Sequence, residues 1–282
     1  MQEIIQQIIG SQNLGKIKTI RPIPGGSINL GFHVKTTIGQ YFLKMNDQVP
    51  DDYFDVEFNS LQIIDKYART PRVMAHGKID KVSFLVLEWI APVSTHPSAI
   101  DDLAFSLAQL HRQTKNQFGF DFNNYIGSLY QRNDWADSWT DFYTQHRILP
   151  LVKLGLDNKL LTKDNVQSFE ALCARFSQWM PAEKPALLHG DLWHGNYLLS
   201  GSKSYMIDPA IYYGHREMDI AMTHLFGSFP DRFYDVYNSS NPLQPGWQER
   251  IPLYQLYPLL VHLHLFGSSY YPQLNDVLIK FR

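Results

Sequence analysis

The chain has 282 residues, 44% of them hydrophobic and 18% charged, with a formal net charge of −2. That is long enough for a sizeable core, either in one large domain or in two lobes around a cleft, and it excludes a globally basic nucleic-acid or membrane-surface binder. The one cysteine, Cys173, excludes an intramolecular disulfide framework and a cysteine-built zinc cluster. Its neighbours Phe169, Leu172 and Phe176 make it a buried, inert thiol.

Residues 1–10 read as a short amphipathic helix stopped at Gly10, without the basic start of a signal peptide. No stretch reaches the roughly 18 uninterrupted apolar residues of a membrane span, so a soluble, cytoplasmic protein is expected. Lys16 to Pro22 alternates as a strand until Pro24-Gly25-Gly26-Ser27 breaks the pattern. Leu30 to Thr36 and Gln40 to Met45 flank Thr37-Ile38-Gly39, a hairpin signature. Asp55 to Ala68 places Val56, Phe58, Leu61, Ile64 and Tyr67 near a helical period. Val82 to Ile90 is a near-continuous apolar strand ended by Ala91-Pro92. Helices are predicted over Ile100–His111, Asp134–His146 and Lys163–Trp179. Ala186 to Leu188 is a short strand leading into a loop with Asp191; Tyr197–Leu199 and Tyr205–Ile207 are two more, joined by Ser200 to Lys203. From Asp219 onward the chain reads as mostly helical. The expected division is a strand-rich N-terminal lobe over residues 1–90 and a helical C-terminal lobe over 91–282, joined near Glu88 to Val93.

Phosphoryl transfer needs held phosphates, neutralised charge and an oriented hydroxyl, and little covalent help from protein. The segment His189-Gly-Asp-Leu-Trp-His-Gly-Asn196 offers suitable parts. Asp191 is placed to accept an acceptor hydroxyl's hydrogen bond, and Asn196, five residues on, to turn an amide oxygen toward a metal. Asp208 returns to the same point after a hairpin. An Asp, an Asn at plus five and a second Asp beyond a short hairpin match the spacing of a kinase catalytic loop. So sparse a ligand set suits Mg2+, which keeps water and phosphate oxygens. For an isolated Asp-x4-Asn, a polar turn is the competing explanation; here the second Asp and the upstream lobe side with chemistry. Zinc at His189 and His194 is disfavoured by their spacing and the absence of a cysteine pair.

Upstream, Lys44 lies in a strand of apolar neighbours, suited to pairing with the α- and β-phosphates of ATP, and Glu57 on the following helix is suited to hold it. Solvated surface charges are the alternative for each alone. Gly25, Gly26 and Ser27 either let backbone amides approach phosphate or form a plain hairpin turn. Glu88, Trp89 and Ile90 would serve an adenine through main-chain groups.

Several segments together resemble the fructosamine kinase (ketosamine 3-kinase) family: Gly25-Gly-Ser-Ile-Asn29, Phe118-Gly-Phe-Asp121, Asn124-Tyr-Ile-Gly127, residues 189–196 and Ile207-Asp-Pro-Ala-Ile-Tyr-Tyr-Gly-His-Arg-Glu217. The likeness extends through Asp219-Ile-Ala-Met222, Leu225-Phe-Gly-Ser-Phe-Pro230 and Leu253-Tyr-Gln-Leu-Tyr257 and covers nearly the whole chain. It implies an α+β, two-lobed protein-kinase-like fold, ATP with Mg2+, and phosphorylation of the sugar 3-hydroxyl of ketosamines or glycated protein, an activity associated with deglycation. By that resemblance Asp191 is the catalytic base, Asn196 and Asp208 the metal ligands, and Lys44 with Glu57 the phosphate-holding pair. Trp193 either stacks on the acceptor sugar or packs in the core. His194 is expected to tune acceptor choice. His215, Arg216 and Glu217 are expected near the acceptor mouth, Arg216 alternatively as a structural ion-pair partner. Asp219 is expected to cap a helix or brace the catalytic loop. His262 and His264 read as satisfied histidines of a core helix. Where some relatives carry a cysteine in the glycine-rich turn this chain has Ser27, so no redox switch is expected there. Two alternatives stand beside this reading: an aminoglycoside- or choline-type phosphotransferase, and a non-catalytic nucleotide-binding scaffold. The second would predict loss of Lys44, Asp191, Asn196 or Asp208, all of which are present.

Overall fold

Period-two alternation in the first ninety residues produces one antiparallel sheet. The computed structural model describes residues 1–24 and 28–282, so the phosphate-approaching turn expected at Gly25, Gly26 and Ser27 lies outside the described residues. The chain divides into two compact units: residues 1–99 with 198–207, and residues 100–197 with 208–282.

The first unit opens with α1 (Gln2–Ser11), followed by β1 (Ile17–Ile23), β2 (Leu30–Thr36), β3 (Gln40–Asn46), α2 (Tyr53–Ile64), β4 (Val73–Ile79) and β5 (Val82–Glu88). The strands lie in the order β1-β2-β3-β5-β4, every neighbour antiparallel. Tyr41, Leu43 and Met45 of β3 share a face with Phe32, Val34, Phe84 and Val86, and that face packs on Ile5, Ile8 and Ile9 of α1. Phe42 and Lys44 therefore point to the other face. There α2 lies, buried through Phe54, Glu57, Leu61 and Ile64 at helical spacing. β4 is absent from the sequence reading: six of its residues are half-buried without alternation, and Gly77 interrupts it at φ 150°.

The second unit holds α3 (Ser98–His111), β6 (Asn124–Ile126), β7 (Leu129–Gln131), α4 (Trp139–Phe142), a π-helical turn (Tyr143–Ile148), α5 (Leu149–Asp157) and α6 (Lys163–Cys173). After these come β8 (Ala186–Leu188), β9 (Tyr197–Ser200), β10 (Lys203–Met206), β11 (Tyr212–Gly214), α7 (Glu217–Leu225), α8 (Asp231–Ser240), α9 (Trp247–Phe266) and α10 (Tyr271–Lys280). The β9–β10 hairpin returns to the first unit, where the Met206 amide donates to the Arg69 carbonyl at 2.8 Å and the His96 amide to the Gly201 carbonyl at 2.8 Å.

Two helix boundaries differ from expectation for local reasons. The helix predicted from Asp134 begins at Trp139, because Ala136 is bridged to Phe118 and extended Ser138 caps the helix by accepting the Asp141 amide at 3.1 Å. The helix predicted to Trp179 ends at Cys173 and gives way to a 3₁₀ turn over Phe176–Gln178. Pro258 interrupts α9 by leaving the Tyr254 carbonyl without its helical donor. The Tyr143 hydroxyl enters this gap, donating to the carbonyls of Leu253 at 2.8 Å and Tyr254 at 3.3 Å, while the Tyr257 amide donates to the hydroxyl at 3.3 Å. Tyr143→Phe removes one atom and leaves these buried groups unpaired. It is expected to cost about 1–3 kcal/mol in urea unfolding; a stability equal to that of the unmutated protein would contradict this account of the bonds around Pro258.

Candidate active site

Strands β8 and β11 pair antiparallel, Leu188 opposite Tyr212, so the loop leaving β8 and the segment entering β11 are held side by side. The Ala210 amide donates to the His189 carbonyl at 2.9 Å. Gly190, at φ 85°, makes the close approach possible: a Cβ there would fall 2.0 Å from the Ala210 carbonyl oxygen.

Within the loop, the Asn196 side-chain amide donates to the Asp191 carbonyl at 2.7 Å and to Asp191 Oδ2 at 2.8 Å. This leaves Oδ1 as the ligand-capable atom of Asn196. The loop's first turn is fixed by buried Asp219, whose Oδ2 accepts the His189 amide at 2.7 Å and whose Oδ1 accepts the Gly190 amide at 2.9 Å. The same carboxylate meets His111 Nε2 at 3.0 Å, and His111 Nδ1 meets the Tyr237 hydroxyl at 2.7 Å. Burial pushes the Asp219 carboxyl up, but the His111 bond and charge, the His189 charge and the Gly190 amide outweigh it and hold the group below the usual carboxylate range. Asp191 goes the other way. Burial pushes it well above that range, against the Asn196 bond, and the charges of Asp208 and Asp219 push in the same direction as burial.

Asp208 itself has φ 56°, a left-handed conformation that Asp tolerates better than most residues. Among the described residues no group of three or more His, Cys, Asp and Glu side chains could hold a metal. One carboxylate and one amide oxygen are too few for a stand-alone protein site, and they fit Mg2+ that completes its shell with phosphate and water oxygens.

In the first unit, Lys44 Nζ donates to Glu57 Oε1 at 2.6 Å, and both side chains are buried. A lysine on a sheet face is buried only with its counter-charge beside it, and α2 supplies that charge. Along residues 88–90, the Glu88 amide donates to the Arg72 carbonyl at 2.9 Å and the Trp89 amide to the Gln40 carbonyl at 3.2 Å. The Trp89 ring stacks on His33 at 3.9 Å. Among the described residues, the Ile90 amide has no backbone acceptor.

The family profile described as fructosamine kinase matches residues 1–281. A Lactiplantibacillus plantarum protein named as a ketoamine kinase is 40% identical over 271 residues, covering 95% of this chain and 96% of that one. A solved Haemophilus somnus structure carrying the fructosamine-3-kinase name superposes at a TM-score of 0.88 with 30% identity, over 98% of this chain and 96% of the other. The chain belongs to the fructosamine kinase family. It is therefore a phosphotransferase, and its fold is kinase-like: an aminoglycoside phosphotransferase, solved with ADP and hygromycin B, superposes over 98% of each chain at a TM-score of 0.64 with 13% identity.

The remaining sequence-selected residues of this family member fall into two groups. Trp193 and His194 stay in the loop. The Trp193 indole lies on Gly195, where a Cβ would fall 2.4 Å from the ring, and meets Phe226 edge-on at 5.7 Å, yet it is only half-buried. His194 is exposed, with Nδ1 at 3.1 Å from the Tyr197 hydroxyl. His215, Arg216 and Glu217, by contrast, are buried and committed to protein partners. His215 Nε2 donates to the Pro181 carbonyl at 3.2 Å. Arg216 grips both oxygens of Glu183 at 2.9 and 3.0 Å, and Arg250 grips both oxygens of Glu217 at 2.9 and 2.6 Å. This is the geometry of the structural alternative for Arg216, extended to its neighbours. His262 and His264 each place one ring nitrogen 2.8 Å from a carbonyl, of Pro258 and Leu151 respectively. Sequence reasoning missed His111 and Tyr237, whose only local sign is a polar group on an apolar helix face.

Burial pushes His215 down to about 4, against the Glu183 charge and the Pro181 bond. A lowered folded value means the unfolded chain takes up the proton first. Stability is thus undiminished above about pH 6.5 and falls between there and about pH 4. His215→Gln should flatten this acid limb of the unfolding free energy; a limb of unchanged slope would contradict the burial of a neutral ring.

Proposed function

We propose that the protein transfers the γ-phosphoryl group of ATP to the 3-hydroxyl of a ketosamine, a sugar carried on an amine. The observation that carries the reading is the hydrogen-bonded, part-buried Asp191–Asn196 pair, under the charge of Asp208, in a chain of the fructosamine kinase family. Asp191 accepts the hydrogen bond of the acceptor hydroxyl, aims its oxygen at the γ-phosphorus and takes its proton as the new P–O bond forms. Its raised affinity for a proton suits that role. Lys44, held by Glu57, grips the α- and β-phosphates. The Ile90 amide is the donor offered to the adenine, beside Glu88 and Trp89. Asn196 Oδ1 and the Asp208 carboxylate would hold Mg2+, which supplies neutralisation of phosphate charge. Trp193 offers an aromatic face to the sugar, and His194 lies at the loop's exposed edge. Gly25, Gly26 and Ser27 fall to phosphate binding by sequence alone. His215, Arg216 and Glu217, committed to Pro181, Glu183 and Arg250, take a supporting part in this reading and do not contact acceptor.

The acceptor class rests on the family. Ketosamines form on free amines and on protein lysines, so both a small adduct and glycated protein are substrates in this reading, with deglycation as the outcome. A cytoplasmic setting, where ATP is plentiful, goes with it.

Two measurements test the proposal. Asp191→Ala should lower phosphoryl transfer by about 10²–10⁴-fold while calorimetric ATP affinity is kept; turnover retained with ATP binding lost would refute the role. In a coupled ADP-release assay, fructosyl-, ribulosyl- or erythrulosyl-lysine should be turned over well ahead of hygromycin B or choline. The reverse order would move the protein to another acceptor class.

A further inference from the structure

One charged side chain in the second unit has no place in the chemistry above. Arg147 is completely buried, and among the described residues no carboxylate lies within ion-pair distance of it. Its guanidinium donates only to neutral acceptors: the carbonyls of Arg132 at 2.6 Å and His146 at 3.1 Å, and Asn133 Oδ1 at 2.6 Å. Three aromatic rings face it, Tyr212 at 4.1 Å, Phe142 at 4.5 Å and Tyr257 at 5.3 Å. A buried cation without an anion is costly, and an apolar side chain of similar size fills such a place more cheaply.

The backbone is also modified to put it there. Phe142 and Arg147 are five residues apart, which in an α-helix is about 1.4 turns and points the two side chains apart. The π-helical turn over Tyr143–Ile148 realigns them on one face.

What Arg147 does is legible in the hydrogen bonds that follow. Arginine only donates, so Asn133 must present its oxygen to Arg147 and its NH2 elsewhere. That NH2 donates to Asn124 Oδ1 at 3.0 Å. Asn124 must then turn its own NH2 outward, and it donates to the Ile211 carbonyl at 2.8 Å. Gln131, whose oxygen accepts the Tyr257 hydroxyl at 2.7 Å, donates to Asn124 Oδ1 at 2.6 Å and to the Ala210 carbonyl at 3.2 Å. All four polar side chains are at most 1% exposed. The chain of amides ends on the two carbonyls that follow Asp208 by two and three residues, and Arg147 sets its polarity from the far end.

We propose that Arg147 is a positioning residue for Asp208: by fixing the direction of the Asn133–Asn124–Gln131 hydrogen bonds, it clamps residues 210–211 and holds the preceding left-handed Asp208 in the orientation that receives Mg2+ with the nucleotide. The role rests on the assignment of Asp208 as metal ligand. It is distinct from general core packing, because only the metal-coupled part of nucleotide binding depends on it.

The test is calorimetric titration of ATP at limiting and at saturating Mg2+, on variants shown to be folded by circular dichroism melting. Arg147→Met is expected to lose about tenfold or more of the Mg2+-dependent gain in ATP affinity, with metal-free affinity changed less than about twofold. Arg147→Lys, which can still donate to Asn133, keeps more of that gain. An undiminished gain in Arg147→Met overturns the proposal, as does an equal loss of ATP affinity with and without metal. Should Arg147→Met fail to fold, Asn124→Leu, which cuts the link to the Ile211 carbonyl, is judged by the same criteria. Asp208→Asn is titrated alongside. If it keeps the gain, the metal assignment fails and the positioning role with it; if it loses the gain while the Arg147 and Asn124 variants keep it, the positioning role alone fails.

Discussion

The carboxylate of Asp219 is the group on which the second unit's active-site geometry depends. It sits in the first turn of α7, where the helix dipole favours a negative charge. Its two oxygens receive two successive amides of the catalytic loop and a ring nitrogen from the last turn of α3. The other ring nitrogen of His111, Nδ1, lies 2.7 Å from the Tyr237 hydroxyl, and α8 is tied into the same set. α3 and the consecutive helices α7 and α8 thus together fix two consecutive peptide units, immediately before Asp191. A loop is ordinarily the most mobile part of a fold. Here its first turn is bound as firmly as a strand, and Asp191, which follows directly, inherits that rigidity.

Legibility in the sequence followed the range of the interaction. The Asp191–Asn196 spacing, the hairpin leading to Asp208 and the Lys44 strand are local patterns, and local geometry alone brings Asn196 to Asp191. The Lys44–Glu57 ion pair was readable because an apolar strand and an amphipathic helix each declare which face is buried. β4 was unreadable because its residues are half-buried on both faces, which erases the alternation that marks a strand. The Tyr212-Tyr-Gly-His-Arg-Glu217 stretch was recognisable as a motif, yet the purpose of its charges was not: Glu183 and Arg250, which neutralise Arg216 and Glu217, lie 33 residues away on either side. The π-helical turn had no sequence sign either, since it serves a buried guanidinium whose partners come from the segment after β7, α4, β11 and α9.

The burial of so many polar groups in one unit has an energetic logic. A hydrogen-bonded pair in the interior contributes modestly, but an orphaned member costs about 1–3 kcal/mol. A network such as Arg147–Asn133–Asn124–Gln131–Tyr257 therefore adds little to stability compared with an apolar core. It does penalise every alternative arrangement, because any slip of β11 against β7 orphans several members together. The likeness in fold to the aminoglycoside phosphotransferase at 13% identity shows that the kinase-like scaffold accepts very different sequences. Networks of this kind are where a particular sequence commits to a particular site geometry.

That commitment is needed because the site opposes its own formation. Asp208 adopts a left-handed backbone, a conformation costing about 1 kcal/mol or more for a residue with a side chain. Asp191 is half-buried, and desolvation together with the charges of Asp208 and Asp219 opposes its ionisation. Gly190 and Ala210 approach so closely that no other residue fits at 190. Left alone, this segment would relax by swinging Asp208 outward and widening the loop, which relieves both strain and repulsion. It is prevented from doing so on two sides: Asp219 and the His189–Ala210 bond hold the catalytic loop, and the amides of Asn124 and Gln131 hold the carbonyls of Ile211 and Ala210. Under the proposed function, the negative potential that results is what a divalent cation carrying nucleotide phosphates would neutralise on binding. On that reading the strain and the affinity are two aspects of one arrangement, and relieving the first would weaken the second.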